Sequence, residues 1–285
     1  MSLLARSVDR RLLRSQLFIE ENLANSLALA PLARRAGMSR FHFLRCFSRL
    51  AGEPVGRHIQ RLRLERAAFD LLYSRARVID IALDAGFESP EAFARAFGRW
   101  CGLSPRRFRT ARPILNEPAP VAPEWRKEFA RYRAEFCVEP AQLIRFVRRQ
   151  GVMSAAVSGA WEKMNRLLDG RISPDARQLV TFTPDFPRIT PPDKLRFDVG
   201  IVAKHSPALP SDELMERPLP GGRYAVFRIE LSHEARHVLD LFWRYLYLIW
   251  APTTGVQIRP WGAYHLSRPL GRLGALRVEV HVPVR

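Results

Sequence analysis

The chain has 285 residues, enough for two domains with separate cores, and its 47% apolar and 10% aromatic content excludes a disordered protein. Its formal net charge of +18 predicts a polyanionic partner, either nucleic acid or an anionic membrane surface. The sequence has no apolar core of signal-peptide length and no apolar run of about 18 residues, so a soluble, cytoplasmic protein is expected.

A first helix is predicted from Asp9 to Asn22, with an apolar stripe that includes Leu12 and Ile19. After it, the stretch from Ala36 to Pro54 recurs as the stretch from Ala85 to Pro105. Four residues of the first copy return 50 positions later in the second, namely Phe43, Arg45, Phe47 and Arg49 as Phe93, Arg95, Phe97 and Arg99. An internal repeat of this kind indicates one structural unit used twice.

Each copy is typical of a helix, a glycine turn and a second helix. The first helices are predicted at about Leu29 to Ala36 and Val78 to Ala85, each ended by a glycine that can adopt the left-handed conformation. The second helices begin after Ser39 and Ser89, whose hydroxyls can cap free N–H groups. The pattern therefore predicts two helix-turn-helix motifs, joined by a helix from Val55 to Tyr73 with Arg61 and Arg66 outward.

A helical hairpin with solvated arginines is the alternative for a single copy, but two copies with arginines in register favour DNA binding. The first 112 residues contain 21 arginines, no lysine and 10 acidic residues. Arginine suits bidentate contacts with phosphate and guanine, although genome composition gives the same bias.

The segment from Leu27 to Arg109 resembles the DNA-binding domain of the AraC/XylS family of bacterial transcription regulators. The resemblance implies that one chain sets both second helices into successive major-groove segments, about 34 Å apart, and that RNA polymerase is a further partner. It implies base contacts from Arg40, Phe41, Leu44, Arg45, Pro90, Glu91, Ala92 and Arg95. Phosphate contacts are expected from Arg49, Arg99, Arg106 and Arg107.

The composition changes after this domain. Pro113 to Glu124 contains four prolines and no helical or strand period, which predicts a linker. The expected domains are residues 1–112, a linker and lead-in over 113–135, and residues 136–285. In the last of these, strands are predicted at Gln142 to Arg149, Gln178 to Thr183, Leu195 to Ala203, Arg223 to Ile229, Val256 to Tyr264 and Ala275 to Val282. Helices are predicted at Ala155 to Leu168 and His233 to Trp250.

The expected fold is thus an all-α double helix-turn-helix domain followed by an α+β domain made of two strand-helix-strand-strand repeats. Asp185 to Ile201 and Leu219 to Arg228 resemble the GyrI-like domain, a small-molecule effector module, over roughly Phe136 to Arg285. The resemblance implies a groove between the two repeats. Core packing is the alternative role for each aromatic residue there, and the predicted effector-binding residues are Trp161, Trp243, Tyr247, Trp250, Trp261 and Tyr264.

One departure from the family pattern affects the ligand. Many members carry an acidic residue two positions before the strand tyrosine, but here Gly262 precedes Tyr264 by two. Without that carboxylate, a neutral or anionic ligand, or no ligand, becomes as plausible as a cation.

Two other functions remain open for the second domain: docking of a protein partner, and hydrolysis, since some GyrI-like relatives are hydrolases. The seven histidines are scattered, and Cys46, Cys101 and Cys137 lack metal-ligand spacing. No catalytic residue, cofactor or metal is therefore expected.

Overall fold

The computed structural model describes residues 3–113, 115, 121–173, 178–205, 213–232, 236–260, 262–269 and 275–285. The chain divides into two compact units, Met1–Ile114 and Leu115–Arg285. They are called the first and second unit below.

The first unit consists of helices in its described part. They are α1 (Leu3–Glu21), α2 (Leu29–Arg35), α3 (Arg40–Ala51), α4 (Val55–Tyr73), α5 (Val78–Asp84), α6 (Pro90–Cys101) and α7 (Pro105–Ala111). Helix α1 begins earlier than predicted, whereas α4 has the predicted bounds. Both helix-turn-helix motifs are present, as α2 with α3 and as α5 with α6.

The turns of the two motifs have the predicted local chemistry. Gly37 and Gly86 have φ angles of 63° and 77°, in the left-handed region that favours glycine. The Ser39 Oγ accepts a hydrogen bond from the His42 N–H at 3.3 Å, and the Ser89 Oγ accepts one from the Ala92 N–H at 3.1 Å. Both second helices thus start at a serine cap, which confirms the prediction.

Helix α1 packs on the first motif, and the segment just after it contacts the second. The helix packs against α2 and α3 of the first motif. The carbonyl oxygen of Leu23, just after α1, also lies 2.6 Å from where a Cβ on Gly86 would be. The same oxygen accepts a hydrogen bond from Arg63 Nε at 2.9 Å. Only glycine therefore fits the turn of the second motif.

The core of the first unit is built from equivalent residues of the two copies. Phe43, Phe47, Phe93 and Phe97 are fully buried, and the two rings within each motif lie 5.5 and 5.3 Å apart. Burial of four phenylalanines is a large apolar contribution to stability. The arginines between them in sequence remain outside this core.

An ion-pair network joins the end of α3 to α4, where the sequence predicts Arg61 to point outward. Arg61 is largely buried instead, because its guanidinium donates hydrogen bonds to Glu53 at 2.7 Å and to Glu65 at 3.0 Å. His58 Nδ1 lies 2.8 Å from the same Glu53 oxygen, and its ring packs edge-on against Phe47. In the second motif the equivalent ring contact is apolar, between Phe97 and Phe108.

This network predicts an acid-sensitive contribution to the stability of the first unit. Burial alone would raise the pKa of Glu53, but the hydrogen bonds from His58 and Arg61 lower this pKa from 4.5 to about 2. Because the folded pKa is depressed, the stabilisation is complete above about pH 4.5 and is lost as the pH falls towards 2. We expect Glu53→Gln to cost about 3 kcal/mol near neutral pH.

Urea unfolding of the wild type and Glu53→Gln at several pH values between 6 and 2 measures this contribution. The difference in unfolding free energy should shrink towards zero at the acid end. A difference that stays constant over this range would show that the Glu53 charge does not stabilise the fold.

The second unit combines a single antiparallel sheet with helices. Its strands are β1 (Glu135–Glu139), β2 (Gln142–Gln150), β3 (Leu179–Phe182), β4 (Arg196–Val202), β5 (Met215–Leu219), β6 (Gly222–Ser232), β7 (Tyr264–Pro269) and β8 (Ala275–Pro283). Its helices are α8 (Pro123–Phe129), α9 (Met153–Leu168), α10 (Arg236–Tyr245) and α11 (Ala251–Thr254), with a π-helical turn over Leu246–Trp250. This confirms the predicted α+β class.

The eight strands follow the order β1-β6-β8-β7-β3-β4-β2-β5, which is symmetric about the central pair β7 and β3. The duplication is therefore visible in the sheet. Each half also contains a short leading strand that the sequence did not reveal. These leading strands are exchanged, since β1 of the first half pairs with β6 of the second and β5 pairs with β2.

Two predictions for the second unit differ from the structure, and part of a third lies outside the described residues. The strand predicted from Val256 starts only at Tyr264, because Gly255 ends a helix with φ 69° and Gly262 has φ 101°. The long second helix is described from Arg236, and the first residues of its predicted range, 233–235, lie outside the described residues. The segment predicted as lead-in contains α8, whose Phe129 is 2% exposed and contacts the ring of Phe242 at 5.2 Å.

A buried ion cluster lies on the sheet face opposite α9. Asp198 on β4 is fully buried and accepts hydrogen bonds from Arg148 Nε at 2.7 Å and from Arg217 Nη1 at 2.7 Å. The register of the repeats puts Glu279 and Arg228 at the equivalent positions of the second half. That second pair is 3.5 Å apart, and its arginine is 56% exposed.

Candidate nucleic-acid interface and small-molecule groove

The first recognition helix, α3, presents most of its predicted base-reading residues to solvent. Arg40 and Arg45 are exposed, and Leu44 is half-buried. Phe41 is 87% exposed, which is unusual for a large apolar side chain. An exposed aromatic ring beside two arginines suits contact with a thymine methyl next to guanine edges.

On the second recognition helix, α6, the surface equivalent to that of α3 is more acidic. Glu91 and Arg95 are exposed, while Pro90 and Ala92 are half-buried at the start of the helix. The repeat spacing makes Ala94, not Ala92, the equivalent of Leu44, and Ala94 is exposed. Ala94 was not among the predicted base contacts, although the 50-residue repeat spacing indicates it.

Six arginines of the first unit fall into two groups. Arg49, Arg99, Arg106 and Arg107 are exposed, as phosphate contacts require. Arg63 and Arg109 instead bind backbone carbonyls: Arg63 those of Leu23 and Asn25, and Arg109 that of Ala76 at 2.7 Å. The second group therefore stabilises the helix packing.

The two halves of the sheet meet at the strand pair β3 and β7, where the family resemblance implies a groove. Thr181 on β3 and His265 on β7 are directly opposite each other across the central strand pair. Trp161 on α9 donates a hydrogen bond from Nε1 to the Thr181 Oγ1 at 3.1 Å. Trp243 on α10 lies 6.3 Å from the His265 ring. Two half-buried indoles, one from each helix, thus contact neighbouring floor residues.

The aromatic surface continues beyond Trp243. Tyr247 stacks on Trp243 with ring centroids 6.0 Å apart, and Phe186 from the β3–β4 connection contacts Tyr247 at 4.5 Å. We call the surface formed by Trp161, Thr181, His265, Trp243 and Tyr247 the central groove. Three of the predicted effector-binding residues, Trp161, Trp243 and Tyr247, lie in it.

The other three predicted residues are placed differently. Tyr264 is 2% exposed and stacks on His281 at 4.4 Å; it faces away from the central groove because neighbouring residues of a strand alternate between faces. Trp250 is half-buried and packs edge-on against Phe227 at 5.0 Å. Trp261 lies outside the described residues.

Gly262 also belongs to the face away from the central groove. A Cβ on this residue would lie 2.9 Å from the hydroxyl oxygen of Tyr224, and the φ of 101° disfavours any other residue. A carboxylate at this position would therefore lie near Tyr224 and Tyr264, outside the central groove. The charge preference of the central groove depends on the groove's own residues.

His265 is the titratable group on the groove floor. Burial, together with a smaller contribution from the nearby His281, lowers the pKa of His265 to about 3. The imidazole is therefore neutral at ordinary pH, with one donor and one acceptor nitrogen. In the sequence His265 is one of seven scattered histidines, and its place opposite Thr181 depends on a strand register that sequence spacing does not reveal.

No helix in the described ranges is both long enough and apolar enough to cross a bilayer. Within the same ranges, no three His, Cys, Asp or Glu side chains lie close enough together to hold a metal ion.

Two family models match the chain. A helix-turn-helix domain model matches residues 32–111, and the model of the GyrI-like small molecule binding domain matches residues 134–285. The second match covers more than half of the chain.

Similar proteins are named as transcription regulators. The HTH-type transcriptional activator AarP of Providencia stuartii is 37% identical over 100 residues, covering 35% of this chain and 74% of AarP. The uncharacterized HTH-type transcriptional regulator YbfP of Bacillus subtilis is 39% identical over 93 residues, 33% of this chain and 32% of YbfP. The crystal structure of the DNA-binding domain of the global transcriptional factor AdpA, in complex with a target DNA, has 33% identity, a TM-score of 0.35 and coverage of 35% and 91%.

Proposed function

Because the chain belongs to the AraC-type helix-turn-helix regulators and carries a GyrI-like small-molecule-binding domain, we propose that an effector bound in the central groove changes its affinity for a specific operator. The protein is a DNA-binding transcriptional regulator.

The proposal that α3 and α6 bind DNA rests on the exposure of their equivalent surfaces. Arg45 and Arg95 recur in register and are both exposed, and each can donate two hydrogen bonds to a guanine edge. Phe41 supplies an apolar contact on the first helix, and Glu91 an acceptor for a cytosine amino group on the second. We infer that the two helices read different half-sites.

Phosphate contacts by Arg49, Arg99, Arg106 and Arg107 supply the remaining affinity in this proposal. They add binding that depends on salt but not on base sequence. The net charge of +18 supports the same assignment.

We further propose that the regulator works in the cytoplasm, contacts RNA polymerase and does not convert its effector. The polar groups that meet on the described groove floor are Thr181 and a neutral His265, with no carboxylate placed among them for acid–base chemistry. Turnover of an ester or epoxide substrate by the purified protein would contradict the last point.

Fluorescence anisotropy of a labelled operator duplex tests the coupling. The operator is first selected from random duplexes by the full-length protein, and its affinity is then measured with and without saturating Nile red, an uncharged aromatic probe. We expect a change of about 5-fold or more, the usual scale of allosteric coupling. An unchanged operator affinity at full occupancy of the groove would contradict the proposal.

A further inference from the structure

The hydrogen-bonding capacity of His265 is unused by the described part of the protein. The side chain is 8% exposed, and its ring contacts Trp243, but no hydrogen bond joins it to any described residue. The ring nitrogens are not fully enclosed, and a ligand that covered them without a polar atom would leave them unsatisfied, which costs free energy. A ligand atom that accepts or donates at this imidazole avoids that cost.

The walls beside His265 favour a flat ring. Trp161 is held by its hydrogen bond to Thr181, and Trp243 is held by stacking on Tyr247. Both indoles are half-buried, so part of each remains accessible. Pre-oriented indoles bind planar aromatic groups at a low entropic cost, because little side-chain freedom is lost.

The groups around His265 carry little net charge. Across β3 it faces Thr181, across β8 it faces Val280, and Trp243 approaches from α10. The charged pair on that helix, Asp240 and Arg244, is internally neutralised at 2.8 Å. His281, the next residue along β8, points to the other face of the sheet, where it stacks on Tyr264. The groove thus offers neither a carboxylate for a cation nor a free cation for an anion within this set of contacts.

We propose that the effector is an uncharged planar heteroaromatic molecule that stacks against Trp161 and Trp243 and exchanges a hydrogen bond with His265. This inference rests on the proposed function and adds the chemical class of the effector. It also makes His265 the residue that sets specificity, since an unsatisfied imidazole penalises a ring without a polar edge.

Nile red and Nile blue test this inference in the full-length protein. They share a planar ring system, but Nile red is uncharged and carries a carbonyl acceptor, whereas Nile blue is a cation. Fluorescence titration should show Nile red binding at least tenfold more tightly. His265→Leu should weaken Nile red binding about tenfold, while His265→Asn, which keeps a neutral donor, should retain most of the affinity.

The tryptophans provide matched controls. Trp161→Phe and Trp243→Phe should each weaken Nile red binding several-fold, while Trp250→Phe should leave it unchanged because Trp250 packs against Phe227. Thermal unfolding of each variant confirms that it is folded. The wild-type affinity should also be constant between pH 8 and 5, since His265 remains neutral there; this measurement requires no variant.

Tighter binding of Nile blue, or Nile red affinity that ignores all substitutions in the groove, would overturn the inference. An effect of Trp250→Phe equal to that of Trp243→Phe would do the same. The proposed function fails separately, if Nile red binds in the predicted manner but leaves operator affinity unchanged.

Discussion

Replacing Asp198 by alanine should lower the unfolding free energy of the second unit by about 3 to 5 kcal/mol. The carboxylate is fully buried and accepts hydrogen bonds from both Arg148 and Arg217. Its removal leaves two guanidinium groups out of water without their common partner. The cost of an uncompensated buried charge is much larger than that of a lost surface contact.

The duplication supplies a matched control for this variant. Glu279 occupies the position equivalent to Asp198 in the second half, but its partner Arg228 is 56% exposed and also pairs with Glu135. Glu279→Ala should therefore cost less than about 1 kcal/mol. Urea unfolding followed by tryptophan fluorescence measures both values. Equal costs for the two variants would contradict the burial argument.

Substitution of Arg45 and Arg95 should have the largest effect on DNA binding. Each alanine variant should lose about 1 to 3 kcal/mol on the selected operator and relax the preference at one base position. The double variant should lose about the sum, because we propose that the two arginines contact different half-sites. Affinity for random duplexes should change little and equally for both.

Arg14→Ala is the control, because Arg14 is exposed on α1 and its loss changes the net charge by the same amount. It should behave like the other variants on random DNA and like the wild type in base preference. If Arg45→Ala and Arg95→Ala lose the same affinity on operator and random duplexes, these residues contact phosphate and do not read bases.

The sequence predicted the first unit closely because its signals are local. Serine caps, glycine turns and phenylalanines four residues apart act within one or two helical turns. Val55–Tyr73 matches its predicted bounds for this reason. Arg61 was misjudged because Glu53 approaches it from outside its helix.

The second unit was predicted less completely because its features depend on distant pairing. Strands β1 and β5 have five residues each, and each pairs with the opposite half of the duplication. Segments this short show little periodicity. Because each of them pairs with the opposite half, it forms no hairpin with the next strand in the sequence, and the usual hairpin signal is missing.

The residues of the central groove were also predicted only in part. Trp161 and Trp243 were expected from the family resemblance, while His265 and Thr181 meet through the register of β3 and β7. A shift of one residue in that register would bring Tyr264 to the groove instead, since successive strand residues face opposite sides. The aromatic content of the groove was thus predictable, but its polar floor was not.

Selection of operators from a random duplex library by the full-length protein tests the central claim most directly. Two recognition helices that read DNA from one chain should enrich two short elements, with centres about one helical turn, or 10 base pairs, apart. Arg45→Ala should erase preference within one element and Arg95→Ala within the other. Enrichment of a single element, erased by one variant and untouched by the other, would contradict the account that both motifs read DNA.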